Sequence, residues 1–191
     1  MKNETQPVDY TDIRHLIYGS HELYNTRLEA MMKNSFTKYV DKDTILVLDG
    51  KTKFDVLDKL ITCAADKSKV DRDIIMRATW KREKMMTTGV GFGLALPHIR
   101  LTGIPEPVVL VGLCKEPIVD YQSQDDQPIR VLVFIVAPEG NQEDYLQLLG
   151  SISRKLRNAE MIGEIVENIA RPSQVLRILK RRSKEEGESE E

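Results

Sequence analysis

A chain of 191 residues with 28 basic and 30 acidic side chains carries a formal charge of −2, without the global basic field that marks a nucleic-acid binder. That length sets one well-packed core with extensions and is too short for two full-sized domains. The segment Met1 to Pro7 lacks a hydrophobic signal core, and no apolar run approaches the ~20 residues that span a bilayer, so a soluble cytoplasmic protein without membrane insertion is expected.

From about Asp9 to Met32 the apolar residues Tyr10, Ile13, Ile17, Tyr24, Leu28 and Met31 mostly fit one helical face, weakened in the middle by Gly19. Residues 1–35 therefore read as an N-terminal helical extension. Packing against the main domain is its simplest role, and a homodimer or partner surface is the functional alternative. His15 and His21 lie six residues apart, off a shared helical face, and make a poor metal pair.

The compact domain opens with a strand at Thr44 to Leu48, closed by the Asp49-Gly50 turn signal. Thr52-x-x-Asp55 resembles a capping box with the shorter acid, starting a helix whose apolar face is Phe54, Leu57, Leu60, Ile61 and Ala64. A second helix from about Asp71 turns Ile74, Ile75, Ala78 and Trp80 inward and runs into Lys81-Arg82-Glu83-Lys84. Next comes a glycine-punctuated apolar segment, Thr88 to His98. In it Leu94-Ala95-Leu96 reads as a short buried strand that Pro97 terminates by removing a ladder donor. His98 stands at that strand end. An imidazole with a pKa near ~6.5 is largely neutral at cytoplasmic pH, leaving one ring nitrogen free for proton transfer, metal binding or nucleophilic attack. A lone histidine beside an apolar strand is nonetheless usually a structural residue.

Val108 to Leu113 and Val131 to Ala137 are nearly continuous β-branched and leucine-rich runs, as in strands covered on both faces, with a turn at Asp125 to Pro128 between them. Cys63 and Cys114 belong to no Cys-x-x-Cys or Cys/His cluster and read as reduced, buried, small apolar residues. An amphipathic helix follows with Tyr145, Leu148, Leu149, Ile152 and Leu156, then a shorter one with Met161, Ile162, Ile165, Val166 and Ile169. Past Pro172 a last turn or two holds Val175, Leu176, Ile178 and Leu179, and residues 181–191 form a charged, solvated tail. Strands interleaved with helices indicate an α/β class, a single layered domain over residues 36–180.

Two chemistries are disfavoured by spacing. Gly89-x-Gly91-x-Gly93 follows a charged segment and precedes a strand, whereas the dinucleotide fingerprint needs Gly-x-Gly-x-x-Gly between strand and helix; the phosphate loop's Gly-Lys-Ser/Thr is also absent. No second His, Cys or carboxylate sits at ligand spacing from His98, so no metal is expected.

Arg82-Glu83, followed by Thr87-Thr88-Gly89-Val90-Gly91-x-Gly93-Leu94-Ala95-Leu96-Pro97-His98, resembles the signature of enzyme IIA of the fructose/mannitol type in the bacterial phosphoenolpyruvate-dependent phosphotransferase system, including its nitrogen-regulatory branch. The segment Asp126 to Pro138 also resembles that family, and the likeness covers roughly residues 36–180. It implies a central mixed sheet of about five strands flanked by helices, and a histidine that accepts a phosphoryl group from the phosphocarrier protein HPr. That group passes to a IIB cysteine or serves as a regulatory signal, without metal or organic cofactor. On this reading His98 is the acceptor and Arg82 matches the family's charge-neutralising arginine. Thr88 with the Gly89 and Gly91 amides would donate to phosphoryl oxygens, inside an apolar rim of Val90, Phe92 and Leu96. No IIB-like phosphocysteine loop or membrane segment is present, so transport partners would be separate proteins.

Two positions depart from the family. Ile99 stands where a glycine usually follows the histidine, adding bulk beside the nucleophile. Tyr145 occupies the best match to a second active-site histidine, and a phenol with a pKa near ~10 lacks the cationic, titratable character of an imidazole. Slower transfer or a regulatory role is the expected consequence, and a non-catalytic binding module that keeps the fold is the alternative.

Overall fold

The computed structural model describes residues 35–181. The expected N-terminal helix with His15 and His21, and the charged tail beyond Arg181, lie outside the described residues.

A 3-10 turn at Phe36–Tyr39 leads into β1 (Ile45–Leu48), then α1 (Lys53–Ser68) and α2 (Arg72–Met85). Three short strands follow, β2 (Gly89–Gly91), β3 (Leu94–Ala95) and β4 (His98–Leu101), then the long β5 (Val108–Ile118) and β6 (Ile129–Pro138). The chain closes with α3 (Gln142–Leu156), α4 (Ala159–Glu167) and α5 (Pro172–Lys180). The capping box at the start of α1 is complete: Thr52 Oγ1 accepts from the Asp55 amide, and the Asp55 carboxylate accepts from the amides of Lys51 and Thr52 at 3.0 Å. Those backbone donors hold the Asp55 carboxyl below its ordinary range. Asp71 caps α2 in the same sense, accepting from the amides of Asp73 and Ile74.

The strands form one mixed sheet in the order β1-β5-β6-β3-β2, with β4 also on β6. β1 runs parallel to β5, β3 and β4 run parallel to β6, and the β5/β6 and β2/β3 pairs are antiparallel. The sheet has six strands because the run after Gly93 is cut in two. Leu94 pairs with Val131 and His98 with Ile135, so β3 and β4 keep one register along β6 across the Leu96-Pro97 break. Pro97 has no amide to give, yet its carbonyl still accepts from the Ile135 amide at 2.9 Å. His98 consequently begins a strand where the sequence places it at the end of one.

Both faces of the sheet are covered. Odd positions of β6, Val131, Val133, Ile135 and Ala137, enter a core with Leu148, Ile152 and Leu156 of α3, Ile162 of α4 and Val175 of α5. Even positions, Leu132, Phe134 and Val136, enter a second core with Val56, Leu57, Leu60 and Ile61 of α1 and Ile75 of α2. This period-2 split explains why the two central strands read as unbroken apolar runs. Cys114 is buried in the second core, where desolvation pushes its thiol up to about 12, and Cys63 is half-buried; both are free thiols.

Two expected core residues are instead at the surface. Phe54 is exposed and stacks on Trp80 at 5.8 Å, bridging α1 and α2 from outside. Ile74 is exposed as well, and its neighbour Ile75 alone fills the core position. Helical spacing brackets a face to within one residue, and packing between α1 and α2 chooses which edge is covered.

Candidate active site

His98 is the first residue of β4, and successive residues of that strand point to opposite faces. Ile99 lies opposite Val136 and is buried in the core under α1 and α2. His98 and Arg100 share the other face. The bulk expected beside the nucleophile is therefore absent: Ile99 points away from the imidazole, and its φ is not positive. A strand residue following the histidine needs no glycine when its side chain has a core to enter.

The half-buried imidazole is held at both nitrogens. Nδ1 lies 2.6 Å from the Leu96 carbonyl oxygen, and Arg82 Nε lies 3.2 Å from Nε2. A carbonyl can only accept and a guanidinium can only donate, so Nδ1 carries the proton and Nε2 keeps its lone pair. Arg82 sits in the last turn of α2, and its Nη1 donates to the Met86 carbonyl at 2.9 Å, which sets the guanidinium at the helix end facing β4. Burial lowers the His98 pKa and the Arg82 charge lowers it further, while the Leu96 carbonyl and the Glu83 charge act in the opposite sense. The neutral ring with a free Nε2 is thereby favoured at neutral pH.

Tyr145 enters from α3, one turn after its cap Asn141, whose side chain accepts from the amides of Glu143 and Asp144. Its ring lies 6.2 Å from the His98 ring, tilted by 59°. Arg100 places its guanidinium 5.1 Å from the Tyr145 ring centre. Arg100 escaped the sequence reading, although strand alternation already puts residues 98 and 100 on one face. Neither Arg82 nor Arg100 is paired with a carboxylate among the described residues. A guanidinium on the neutral imidazole and a second one on the neighbouring Tyr145 ring, neither paired with a carboxylate among the described residues, make a site suited to an anion.

Thr88, Gly89 and Gly91, the other expected oxygen donors, also hold local contacts. Thr88 is buried and donates its only hydroxyl proton to Glu83 Oε1 at 2.5 Å, so Tyr121 must donate to Thr88 Oγ1, 2.7 Å away. Glu83 is itself buried and its second oxygen pairs with Lys53 at 2.7 Å, while Lys53 lies over the Tyr121 ring. Burial and the Glu83 charge keep the Tyr121 phenol protonated by raising its pKa. This Lys53-Glu83-Thr88-Tyr121 cluster is built from residues 68 positions apart in the chain, beyond any local pattern.

Gly89 lies where a Cβ would collide with the Gln122 carbonyl and the Ser123 backbone, and its amide donates to Thr87 Oγ1 at 3.2 Å. Gly91 (φ +97°), Phe92 (φ +57°) and Gly93 (φ +73°) turn the chain from β2 into β3, and Asp125 accepts the Phe92 amide at 2.7 Å. The glycines thus serve a tight hairpin against the 122–125 loop. Of the expected rim, Phe92 is exposed and Val90 half-buried, whereas Leu96 is buried in the core. Met85 and Met86, just past Arg82, are exposed and extend the apolar surface at this helix end.

The chain matches the family described as phosphoenolpyruvate-dependent sugar phosphotransferase system, EIIA 2, over residues 38–182. It belongs to that family. A PTS system fructose-specific EIIA component of Haloferax volcanii is 35% identical over 117 residues, 61% of this chain and 75% of the relative. The crystal structure of nitrogen regulatory protein IIA-Ntr from Neisseria meningitidis shares the fold with a TM-score of 0.67 at 20% identity, covering 75% of this chain and 98% of that one. A complex of enzyme IIAMTL with phosphorylated enzyme IIBMTL from Escherichia coli contains the same fold, with a TM-score of 0.59 at 20% identity and coverage of 75% and 98%. This EIIA domain is accordingly a phosphoryl carrier of the phosphotransferase system, and membership favours that role over a non-catalytic binding module. No helix among the described residues is long and apolar enough to cross a membrane, and no group of His, Cys, Asp and Glu there could hold a metal.

Proposed function

We propose that His98 Nε2 is the phosphoryl acceptor of this EIIA domain. The observation that carries the reading is the opposed pair of contacts on the ring: the Leu96 carbonyl on Nδ1–H and, on Nε2, the Arg82 guanidinium, which has no counter-ion among the described residues. In the transfer, the Nε2 lone pair attacks phosphorus of an HPr-like phosphocarrier's phosphohistidine. A new N–P bond forms as the donor's N–P bond breaks, and that electron pair returns to the donor imidazole. The ring then bears positive charge, which the Leu96 carbonyl stabilises through Nδ1–H. Arg82 exchanges the lone pair for a phosphoryl oxygen, neutralising charge where it gathers. Onward transfer runs in the same way to a thiolate, with an S–P bond forming as the Nε2–P bond breaks.

The fitting acceptor is a IIB cysteine, by analogy with the solved IIA–IIB mannitol complex, with a regulatory target as the alternative destination. Exposed Phe92, Met85 and Met86 give such a partner an apolar surface to cover. Thr88 supports the site by fixing Glu83 next to Arg82, and Gly89 and Gly91 support it by shaping the hairpin before His98. The domain spans residues 36–180 and works in the cytoplasm, where a phosphocarrier is available. A homodimer through residues 1–35 is tested by deleting residues 1–34 and measuring mass in solution.

The deciding experiment supplies phosphoenolpyruvate, enzyme I and the phosphocarrier protein and follows an acid-labile phosphoryl mass. The label is expected on the parent chain and absent from His98→Ala. A label that persists in His98→Ala, or never forms while a control EIIA is charged, rejects the reading.

A further inference from the structure

Among the described residues, Arg100, like Arg130, has its Nε sealed from solvent without a hydrogen-bond partner, and no carboxylate pairs with Arg100 there. Its guanidinium carbon lies over the π face of Tyr145, 5.1 Å from the ring centre. Burying part of a cation without a matching anion is unfavourable unless an anion arrives during function. His98, two residues earlier, projects from the same face of β4, and its ring lies 6.2 Å from the ring on which Arg100 rests.

We infer that Arg100 is the second cation of the phosphoryl site, held on the Tyr145 ring and donating to an oxygen of the phosphoryl group on His98. This rests on the acceptor role proposed for His98. Arg82 approaches the ring from the end of α2 and Arg100 from along β4, so the two guanidinium groups reach the group from different elements. The arrangement accounts for Tyr145 as well. A phenol there cannot supply charge, and burial raises its pKa so that it stays neutral; Tyr145 instead offers a flat, electron-rich platform that orients a planar guanidinium. The charge lost with the expected imidazole is restored by a residue of the strand that carries the nucleophile.

The test compares initial rates of His98 phosphorylation from the charged phosphocarrier in the parent, Arg100→Gln, Arg100→Lys and Arg100→Gln/Tyr145→His. Loss of one charge-assisted contact in the transition state slows Arg100→Gln by about 10- to 100-fold, Arg100→Lys retains most of the rate, and the double variant regains about tenfold. In parallel, inorganic phosphate is titrated against the His98 ring resonances by NMR, and its binding is expected to weaken in Arg100→Gln. A parental rate in Arg100→Gln, or equal losses in Arg100→Gln and Arg100→Lys that track a lowered unfolding midpoint, overturns the inference while leaving the acceptor role standing. If the parent chain takes no label, the acceptor role falls, and an unchanged phosphate affinity in Arg100→Gln then overturns the assignment of Arg100 independently.

Discussion

Arg82 Nε–H points at His98 Nε2 from 3.2 Å, so the guanidinium rests on the lone pair proposed to attack phosphorus. Its other anchor, Nη1 on the Met86 carbonyl, is backbone at the end of α2 and need not move. The side chain can therefore pivot from nitrogen to phosphoryl oxygen with one contact kept. On the proposed mechanism this geometry holds the charge at the acceptor nitrogen and disfavours protonation of the ring before transfer.

The first prediction concerns pH. Burial and then Arg82 depress the His98 pKa, so the acid limb of the phosphorylation rate should lie below the ordinary ~6.5 of histidine. Arg82→Gln removes one of the lowering causes, and its limb should move up toward that value while the rate falls by about 10- to 100-fold. The same depression makes the unfolded chain bind the extra proton first. The His98 contribution to stability is thus complete above the unfolded pKa and declines as pH falls through it toward the folded value. NMR titration of the His98 ring in both proteins measures the shift; a limb unmoved by Arg82→Gln contradicts the pairing.

Ile99→Gly should harm the fold and leave the chemistry alone. Ile99 fills the core under α1 and α2 from the face opposite His98, so removing it costs about 3 kcal/mol through lost burial, a cavity and a freer backbone. Urea unfolding gives the loss. Phosphorylation measured well below the unfolding transition should be unchanged, and a many-fold gain would show that Ile99 obstructs the site.

Thr88→Val distinguishes a structural hydroxyl from a phosphoryl donor. The variant strands Glu83 Oε1 and the Tyr121 phenol in the interior, at a cost of ~1–3 kcal/mol, and Thr88→Ser should recover most of it. Thermal unfolding of the pair checks this. A large fall in rate with no loss of stability would instead place the hydroxyl on the phosphoryl group.

Much of the architecture was legible because it is written in short-range signals. The Thr52/Asp55 capping box, the apolar stripe of α3 and the two continuous runs of β5 and β6 each depend on neighbours within a few residues, and each appears as read. The edges were harder. Phe54 and Ile74 fit a helical face by spacing, yet both lie outside, since the limit of a buried face is set by the partner helix. The split of one apolar run into β3 and β4 also escaped, because Pro97 breaks hydrogen bonding without breaking register on β6.

By itself, then, the sequence determined the layered α/β class and the histidine with its arginine sixteen residues before it. These depend on periodicity, residue chemistry and local motif. Tertiary structure alone decided that Ile99 turns away from the imidazole, that Thr88 gives its proton to Glu83, and that Tyr145 stands beside His98 with Arg100 over its ring. The reason is physical: strand parity and the packing of α2 and α3 on opposite faces of the sheet select which side chains converge, and those helices are far from β4 or from each other in sequence.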